Sequence, residues 1–356
     1  MLSLAENNAR SYTTPGDAAC RLDEAVTGAA AGLLRNAARL IPSTRKAASM
    51  TRTIDALARL LPPGMNLAKA RPLADGTYND TWWVPSEEHG PTVVKIAPGN
   101  ADCLTYERGL MSNEVAFYRT ASGPFPAVRA TDAATWLALE AIDGQPLSTA
   151  ELTPDARCAV EIELGEAMAR LHEVHGTHFG YGHAPALQGP SWSVGFRQMF
   201  AALLADAHRF GVELPIDDDT LLGLIAASAD ALDGIDVPSL IHFDLWDGNV
   251  LVQANPQRIV LIDPERCFWG DPLAEFVSVS LFGNPENRPL LVEAYTRVAC
   301  HDPLRHPTAP VRLALYRLYL YTIMFVESTP RGTINAGVQQ FIGDQLTALV
   351  EVLQKA

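Results

Sequence analysis

Two adjoining runs, SLIHFDLWDGNVLV (239–252) and RIVLIDPE (258–265), decide how the chain is read. Both are short, apolar and rich in β-formers, with polar residues at their tips, as expected of two neighbouring strands. Asn249 follows Asp244 by five residues, and Asp263 stands fourteen residues further on, closing the strand Ile259–Ile262. Phosphoryl transfer from a nucleotide needs this set. One carboxylate must orient the attacking hydroxyl and take its proton. A carboxamide oxygen and a second carboxylate must hold the Mg²⁺ ions that neutralise the phosphates. Turn formation alone would account for Asp244, Asp247 and Asn249. It does not account for a second aspartate at the end of an apolar strand.

Upstream lies a complementary half. Lys95 sits inside the apolar run TVVKIA (92–97), and Glu114 lies nineteen residues on, in NEVAFYR (113–119). A lysine within an apolar strand is costly unless paired, and a strand lysine held by a helix glutamate is the arrangement that places an ammonium on nucleotide phosphates. Before it, Asp75-Gly76-Thr77-Tyr78-Asn79-Asp80 reads as a hairpin between strands, either a plain turn or one whose backbone amides face phosphates. It is neither a Walker A loop nor GxGxxG.

Around these motifs the pattern divides the chain into three parts. Residues 1–64 form a helical extension, with apolar residues at helical spacing in 16–41 and 49–61 and a stop at Pro62-Pro63-Gly64. Residues 65–147 hold NLAKARPLA, TWWVPS and TVVKIA as an antiparallel meander, a helix near Met111–Thr120, and strands at Ala127–Ala130 and Thr135–Ile142. Residues 148–356 read as mainly helical, with helices predicted at 155–174, 192–210, 218–232, 272–282, 287–300, 309–327 and 336–354. Trp192, Phe196, Met199 and Phe200 share one helical face and are expected in the core, as are Tyr316, Tyr319 and Tyr321.

Composition narrows the partners. The 356 residues carry 27 Lys+Arg against 41 Asp+Glu, a formal net charge of −14, with 48% hydrophobic residues. That is a folded chain poorly suited to a nucleic-acid backbone or an anionic membrane. The acidity is lopsided: residues 1–147 hold 14 basic and 15 acidic residues, whereas 148–356 hold 13 and 26. A field of that sign favours a cationic or neutral small molecule. Five scattered cysteines without CxxC exclude a disulfide framework or zinc site and suggest a cytoplasmic setting. No signal peptide and no apolar run of about 20 residues is visible.

Taken together, Gly76 to Asn79, Lys95, Glu114, LALEAIDGQPL (137–147), LHEVHGTHFGY (171–181), HFDLWDGNVLV (242–252) and IDPERCFWGDPLAEF (262–276) resemble the aminoglycoside phosphotransferase / fructosamine kinase family. The resemblance runs from about Leu67 to near the C-terminus. It implies an α+β, protein-kinase-like, two-lobed fold: a small N-terminal antiparallel-sheet lobe that binds nucleotide and a mainly helical C-terminal lobe that binds the acceptor. By position it implies Asp244 as the catalytic residue, and Asn249 and Asp263 as Mg²⁺ ligands. Lys95 would contact phosphates, held by Glu114, with Gly76, Thr77, Tyr78 and Asn79 over the nucleotide. Glu140 and Ile142 would offer backbone groups to the base. His242 and Asp271 would support the catalytic loop, although capping the following helix is an equally adequate role for Asp271.

Departures sharpen the expectation. Asp263 is followed by Pro264-Glu265 rather than Phe-Gly, and no APE segment follows, so a protein-kinase activation loop is missing. Phe243 stands where many relatives have glycine. The expected activity is ATP- or GTP-dependent, Mg²⁺-dependent phosphorylation of a small-molecule hydroxyl, with an antibiotic of amine or sugar character as acceptor. The alternatives are a metabolic kinase for fructosamines, choline-like alcohols or sugars, and an inactive pseudokinase; the second conflicts with the presence of all four key residues.

Overall fold

The computed structural model describes Ala58, Leu61 and residues 64–73, 79–88, 90–98, 103–254 and 257–355. The predicted extension at 1–64, apart from Ala58, Leu61 and Gly64, and the loop residues Gly76, Thr77 and Tyr78 lie outside the described residues. The chain has the two-lobed α+β architecture expected of it.

The first lobe is a five-stranded antiparallel sheet in the order β1-β2-β3-β5-β4. Its members are β1 (Arg71–Pro72), β2 (Asp80–Ser86) and β3 (Gly90–Ile96), then helix α1 (Leu110–Thr120), β4 (Val128–Thr131) and β5 (Trp136–Glu140). Trp82, Val84, Val94, Ile96, Trp136 and Ala138 form the core of one face. Leu137 and Leu139 turn the other way, onto Met111 and Val115 of α1. The predicted strand NLAKARPLA is mostly not a strand: Leu67–Lys69 is a 3₁₀ turn, and only Arg71 and Pro72 pair with β2. Proline cannot donate to a ladder, so this segment remains a two-residue edge.

The second lobe opens with β6 (Gln145–Pro146) and α2 (Pro154–His172), continues through β7 (Phe179–Gly180), β8 (Gln188–Gly189) and α3 (Trp192–Arg209), and reaches α4 (Asp218–Ala227) and α5 (Ala229–Asp233). Next come β9 (Ser239–Ile241), β10 (Val250–Ala254), β11 (Gln257–Leu261) and β12 (Phe268–Gly270), then α6 (Glu275–Val279), α7 (Pro289–Ala299), α8 (Ala309–Glu327) and α9 (Ala336–Leu353). The predicted helix 218–232 is two helices, because the Ser228 hydroxyl bonds back to Leu224 O at 2.9 Å and breaks the regular ladder. Strands β7, β8 and β12 are two or three residues long and too brief to leave a period in the sequence.

One continuous core fills this lobe. Trp192 lies at its centre, stacked on Phe268 with centroids 5.6 Å apart and donating Nε1–H to Tyr316 Oη at 2.7 Å. Phe196, Met199, Phe200, Tyr319 and Tyr321 are buried around it. The expected core aromatics are therefore packing residues, and their hydroxyls find partners inside: Tyr181 and Tyr319 meet at 3.1 Å.

Helices α2 and α7 approach so closely that a Cβ at Gly165 would sit 2.2 Å from Leu291 O. A mid-helix glycine loses stability to backbone entropy, and here it is what admits the neighbouring backbone. Gly165→Ala is expected to destabilise the fold by about 2 kcal/mol through overpacking. Calorimetry should show the melting temperature falling by several degrees.

Candidate active site

Lys95 owes its position to strand register. It pairs with Leu137, and Val93 with Leu139, so Lys95 lies on the sheet face turned to α1. Its ammonium donates to Glu114 Oε1 on α1 and to Asp263 Oδ1, each at 2.5 Å. Burial alone would push the lysine pKa down, but Asp263 and then Glu114 outweigh it and hold Lys95 well above its ordinary value. For Asp263 burial works the other way and Lys95 prevails, so its carboxyl is held below the usual range. The pair is ionised, and it ties β3 to the tip of β11 across 168 residues.

The loop that carries Asp244, the candidate catalytic loop, joins β9 to β10. His242 and Phe243 turn their backbone N–H groups onto one carboxylate, donating to Glu275 Oε2 at 2.7 Å and Oε1 at 2.9 Å. Glu275 is completely buried, lies 3.7 Å from His172 Nε2, and accepts from Ser278 Oγ, whose oxygen takes the Leu245 N–H. Phe243 adopts φ +60, the left-handed conformation that glycine enters without strain. Its ring compensates by packing 4.9 Å from Phe268 and 5.9 Å from Tyr319. A phenylalanine here therefore alters the packing beneath the loop and leaves the glycine-like backbone in place.

His242 is buried and its two nitrogens are accounted for: Nδ1 accepts the Asp244 N–H at 3.3 Å and Nε2 donates to Ile262 O at 3.0 Å. Burial holds its pKa below the usual value, consistent with that neutral tautomer. The imidazole thereby links the catalytic loop to the carbonyl just before Asp263.

Asp244 is gripped at both oxygens. Arg266 Nη1 donates to Oδ1 at 3.1 Å, while Asn249 Nδ2 donates to Oδ2 at 3.1 Å and to the Asp244 carbonyl at 2.8 Å. Burial raises its pKa to about 7 against the pull of Arg266. A carboxylate poised there can accept a proton near neutral pH. Asn249 spends its amide hydrogens on Asp244, so its Oδ1 is left as an acceptor, the atom a hard cation would use.

Asp263 itself adopts φ +67 and presents a side chain 35% exposed, the most open carboxylate of the set. Behind it Glu265 is buried, and burial followed by Asp263 pushes its pKa well up. Its Oε2 accepts Asn79 Nδ2 at 3.3 Å, bringing the residue that ends the β1–β2 loop onto the segment after β11. The oxygen donors of Asn249 and Asp263 suit Mg²⁺ chemically, one carboxamide and one carboxylate with phosphates left to complete the shell. Among the described residues no group of three or more His, Cys, Asp or Glu side chains is placed to hold a metal ion.

Of the remaining candidates, Glu140 ends β5 with its N–H bonded to Ala127 O at 2.8 Å, so that donor is taken. Ile142 is half-buried in the irregular link to β6. Asp271 does not support the catalytic loop through any hydrogen bond it makes. It caps the next turn through the Leu273 N–H at 2.9 Å and anchors α8 through Tyr316 Oη at 2.6 Å and Arg312. The bracing carboxylate is Glu275, four residues on, and sequence reasoning missed it. Arg266 was missed as well. Neither carried a local signal: Glu275 opens α6, where an acid is ordinary, and Arg266 stands between Glu265 and Cys267.

A family model described as a phosphotransferase enzyme family matches residues 69–312. A candidate ketoamine kinase of Klebsiella pneumoniae is 34% identical over 62 residues, 17% of this chain and 46% of that protein, so the match spans under half of its length. A candidate fructosamine-3-kinase of Thermobifida fusca has a similar fold, with a TM-score of 0.58 at 22% identity over 85% of this chain and all of that one. A thermostable aminoglycoside phosphotransferase variant in ternary complex with ADP and hygromycin B gives 0.53 at 19% identity, over 81% of this chain and 94% of that one.

Glu275→Ala would strand two buried N–H groups of the catalytic loop. The expected loss is about 3 kcal/mol, seen as a lower urea midpoint with an unchanged slope.

Proposed function

Since the chain belongs to the phosphotransferase enzyme family, we propose that it transfers the γ-phosphoryl group of ATP or GTP to a hydroxyl of a small molecule, with Mg²⁺. The observation that carries this reading is Asp244: a half-buried carboxylate poised at about 7, held at both oxygens, beside an ionised Lys95–Asp263 pair. Asp244 orients the acceptor hydroxyl and takes its proton. Lys95, held by Glu114, contacts the phosphates. Glu140 and Ile142 border the base. Asn249 and Asp263 would hold Mg²⁺, which supplies neutralisation of phosphate charge. The remainder is positioning of an in-line transfer.

The acceptor is read as a neutral or cationic compound of amine or sugar character. An antibiotic such as an aminoglycoside fits that description, and so does a ketoamine. One observation favours the ketoamine: the ketoamine kinase match in sequence. No helix among the described residues is long and apolar enough to cross a membrane.

Purified protein with ATP or GTP and Mg²⁺ should be screened against ketoamines, aminoglycosides and simple sugars, with a mass gain of one phosphoryl group as the readout. Phosphorylation of a protein and of no small molecule would overturn the reading. Asp244→Asn should lower kcat by about 100-fold or more while leaving nucleotide binding intact. The base is the ionised form, present above its pKa, so kcat/KM should fall as the pH drops below about 7.

A further inference from the structure

Arg266 lies three residues beyond Asp263 and has only one partner on the catalytic loop, Asp244 Oδ1. Its other amino group, Nη2, lies 2.9 Å from both Oε1 and Oε2 of Glu327, at the end of α8. Glu327 in turn accepts from Arg331 at 3.1 Å, and Arg331 pairs at 2.6 Å with Glu107, in the turn that precedes α1. The result is an alternating series of charges, Asp244–Arg266–Glu327–Arg331–Glu107. No side chain in it is more than 18% exposed.

Geometry separates this arrangement from an ordinary surface ion pair. An ionised carboxylate offers about four lone-pair sites on two oxygens. Asn249 occupies one on Oδ2 and Arg266 one on Oδ1, from opposite ends of the group. Contacts at both oxygens fix the rotation of the carboxylate about its last torsion and still leave a site on each oxygen for a hydroxyl. Asn249 approaches from the loop that carries Asp244, so it moves with that loop. Arg266 approaches from the segment after β11 and is aimed by α8, so it refers the carboxylate to the rest of the lobe.

We propose that Arg266 is a positioning residue for phosphoryl transfer: it sets the orientation of the Asp244 carboxylate and is itself aimed by Glu327. The inference rests on Asp244 as the proton acceptor. Arg266 acts through Asp244 and its effect falls on the transfer step, because the nucleotide is held elsewhere, by Lys95 and its partners. Arg266 is needed as a fork: one amino group must reach Asp244 while the other stays on Glu327, a geometry that an ammonium on a single stem reproduces only in part.

The test measures ADP release from ATP and Mg²⁺ with fructosyl-lysine or hygromycin B as acceptor, using the full chain. Arg266→Gln should lower kcat about tenfold or more through a misplaced base, with the KM for ATP within about twofold of the parent. Arg266→Lys should recover part of the loss. Glu327→Gln should slow transfer in the same direction, and the double variant Arg266→Gln/Glu327→Gln should be little slower than Arg266→Gln alone, since the two act as one unit. A parental kcat in Arg266→Gln, or a loss that appears equally in the KM for ATP, overturns the proposal. If Arg266→Gln does not melt cooperatively, Arg266→Lys and Glu327→Gln carry the test by the same kcat-against-KM split. Equal ADP release by the parent and Asp244→Asn overturns the proton-acceptor assignment and this proposal with it. An inactive Asp244→Asn beside a fully active Arg266→Gln overturns this proposal alone.

Discussion

A buried carboxylate that takes two backbone N–H groups from one loop is a severe constraint, and in this chain Glu275 imposes it. Each N–H it accepts would otherwise be an unpaired donor in the core, at a cost of about 1–3 kcal/mol. Satisfying both requires His242 and Phe243 to point their amides the same way, which drives Phe243 to φ +60. Once that turn is made, the Asp244 N–H falls on His242 Nδ1, and His242 Nε2 reaches the carbonyl before Asp263. The loop bearing Asp244 and the strand end bearing Asp263 are thus placed relative to each other by one imidazole. Glu275 is fixed from behind by the Ser278 hydroxyl, with His172 beside it and the Tyr295 hydroxyl 2.9 Å from His172 Nδ1.

The same economy governs the other ionised groups. A buried charge is tolerated only when paired and hydrogen-bonded, and nearly every charged side chain near the cleft follows that rule. Lys95 has two carboxylates, and Arg266 bridges two more. Arg288 is held by Glu161 at 2.6 Å, and Arg312 by Asp271. These pairs join distant segments, so they specify the arrangement of elements as well as neutralising charge. Asp244 is the exception, as the proposed transfer requires. Its single cationic partner only partly offsets burial, and the carboxyl stays near 7, where a proton can be taken and given up.

Most of this was legible in the sequence where a residue broke a local rule. Lys95 in an apolar strand and Asp263 after one both announced themselves through the cost of burying charge. The helices at 154–172, 309–327 and 336–353 followed from period alone, within two residues of their predicted ends. What escaped had no local signature. Glu275 reads as an ordinary first-turn acid, and only the folded chain brings it beneath a loop 33 residues upstream. Asp271 read equally as loop brace or helix cap, and only the folded chain shows it capping the turn through the Leu273 N–H. Strands of two or three residues carry no period, and the break at Ser228 depends on one hydroxyl choosing a carbonyl.

The lopsided acidity is where structure most changes the argument. Thirteen acids within 206–271 face three arginines, which on sequence alone draws a cation toward this lobe. Many of them are already spent. Asp206 accepts from the Thr105 backbone and Arg209, Asp217 caps α4, Asp233 holds Ser193, Asp247 pairs with Arg157, and Asp271 anchors α8. Of these, Asp206, Asp247 and Asp271 are paired with Arg209, Arg157 and Arg312, and a carboxylate beside a cation contributes little field beyond the pair. The charges around Asp244 are paired in the same way: Arg266 lies between Asp244 and Glu327, and Arg331 between Glu327 and Glu107.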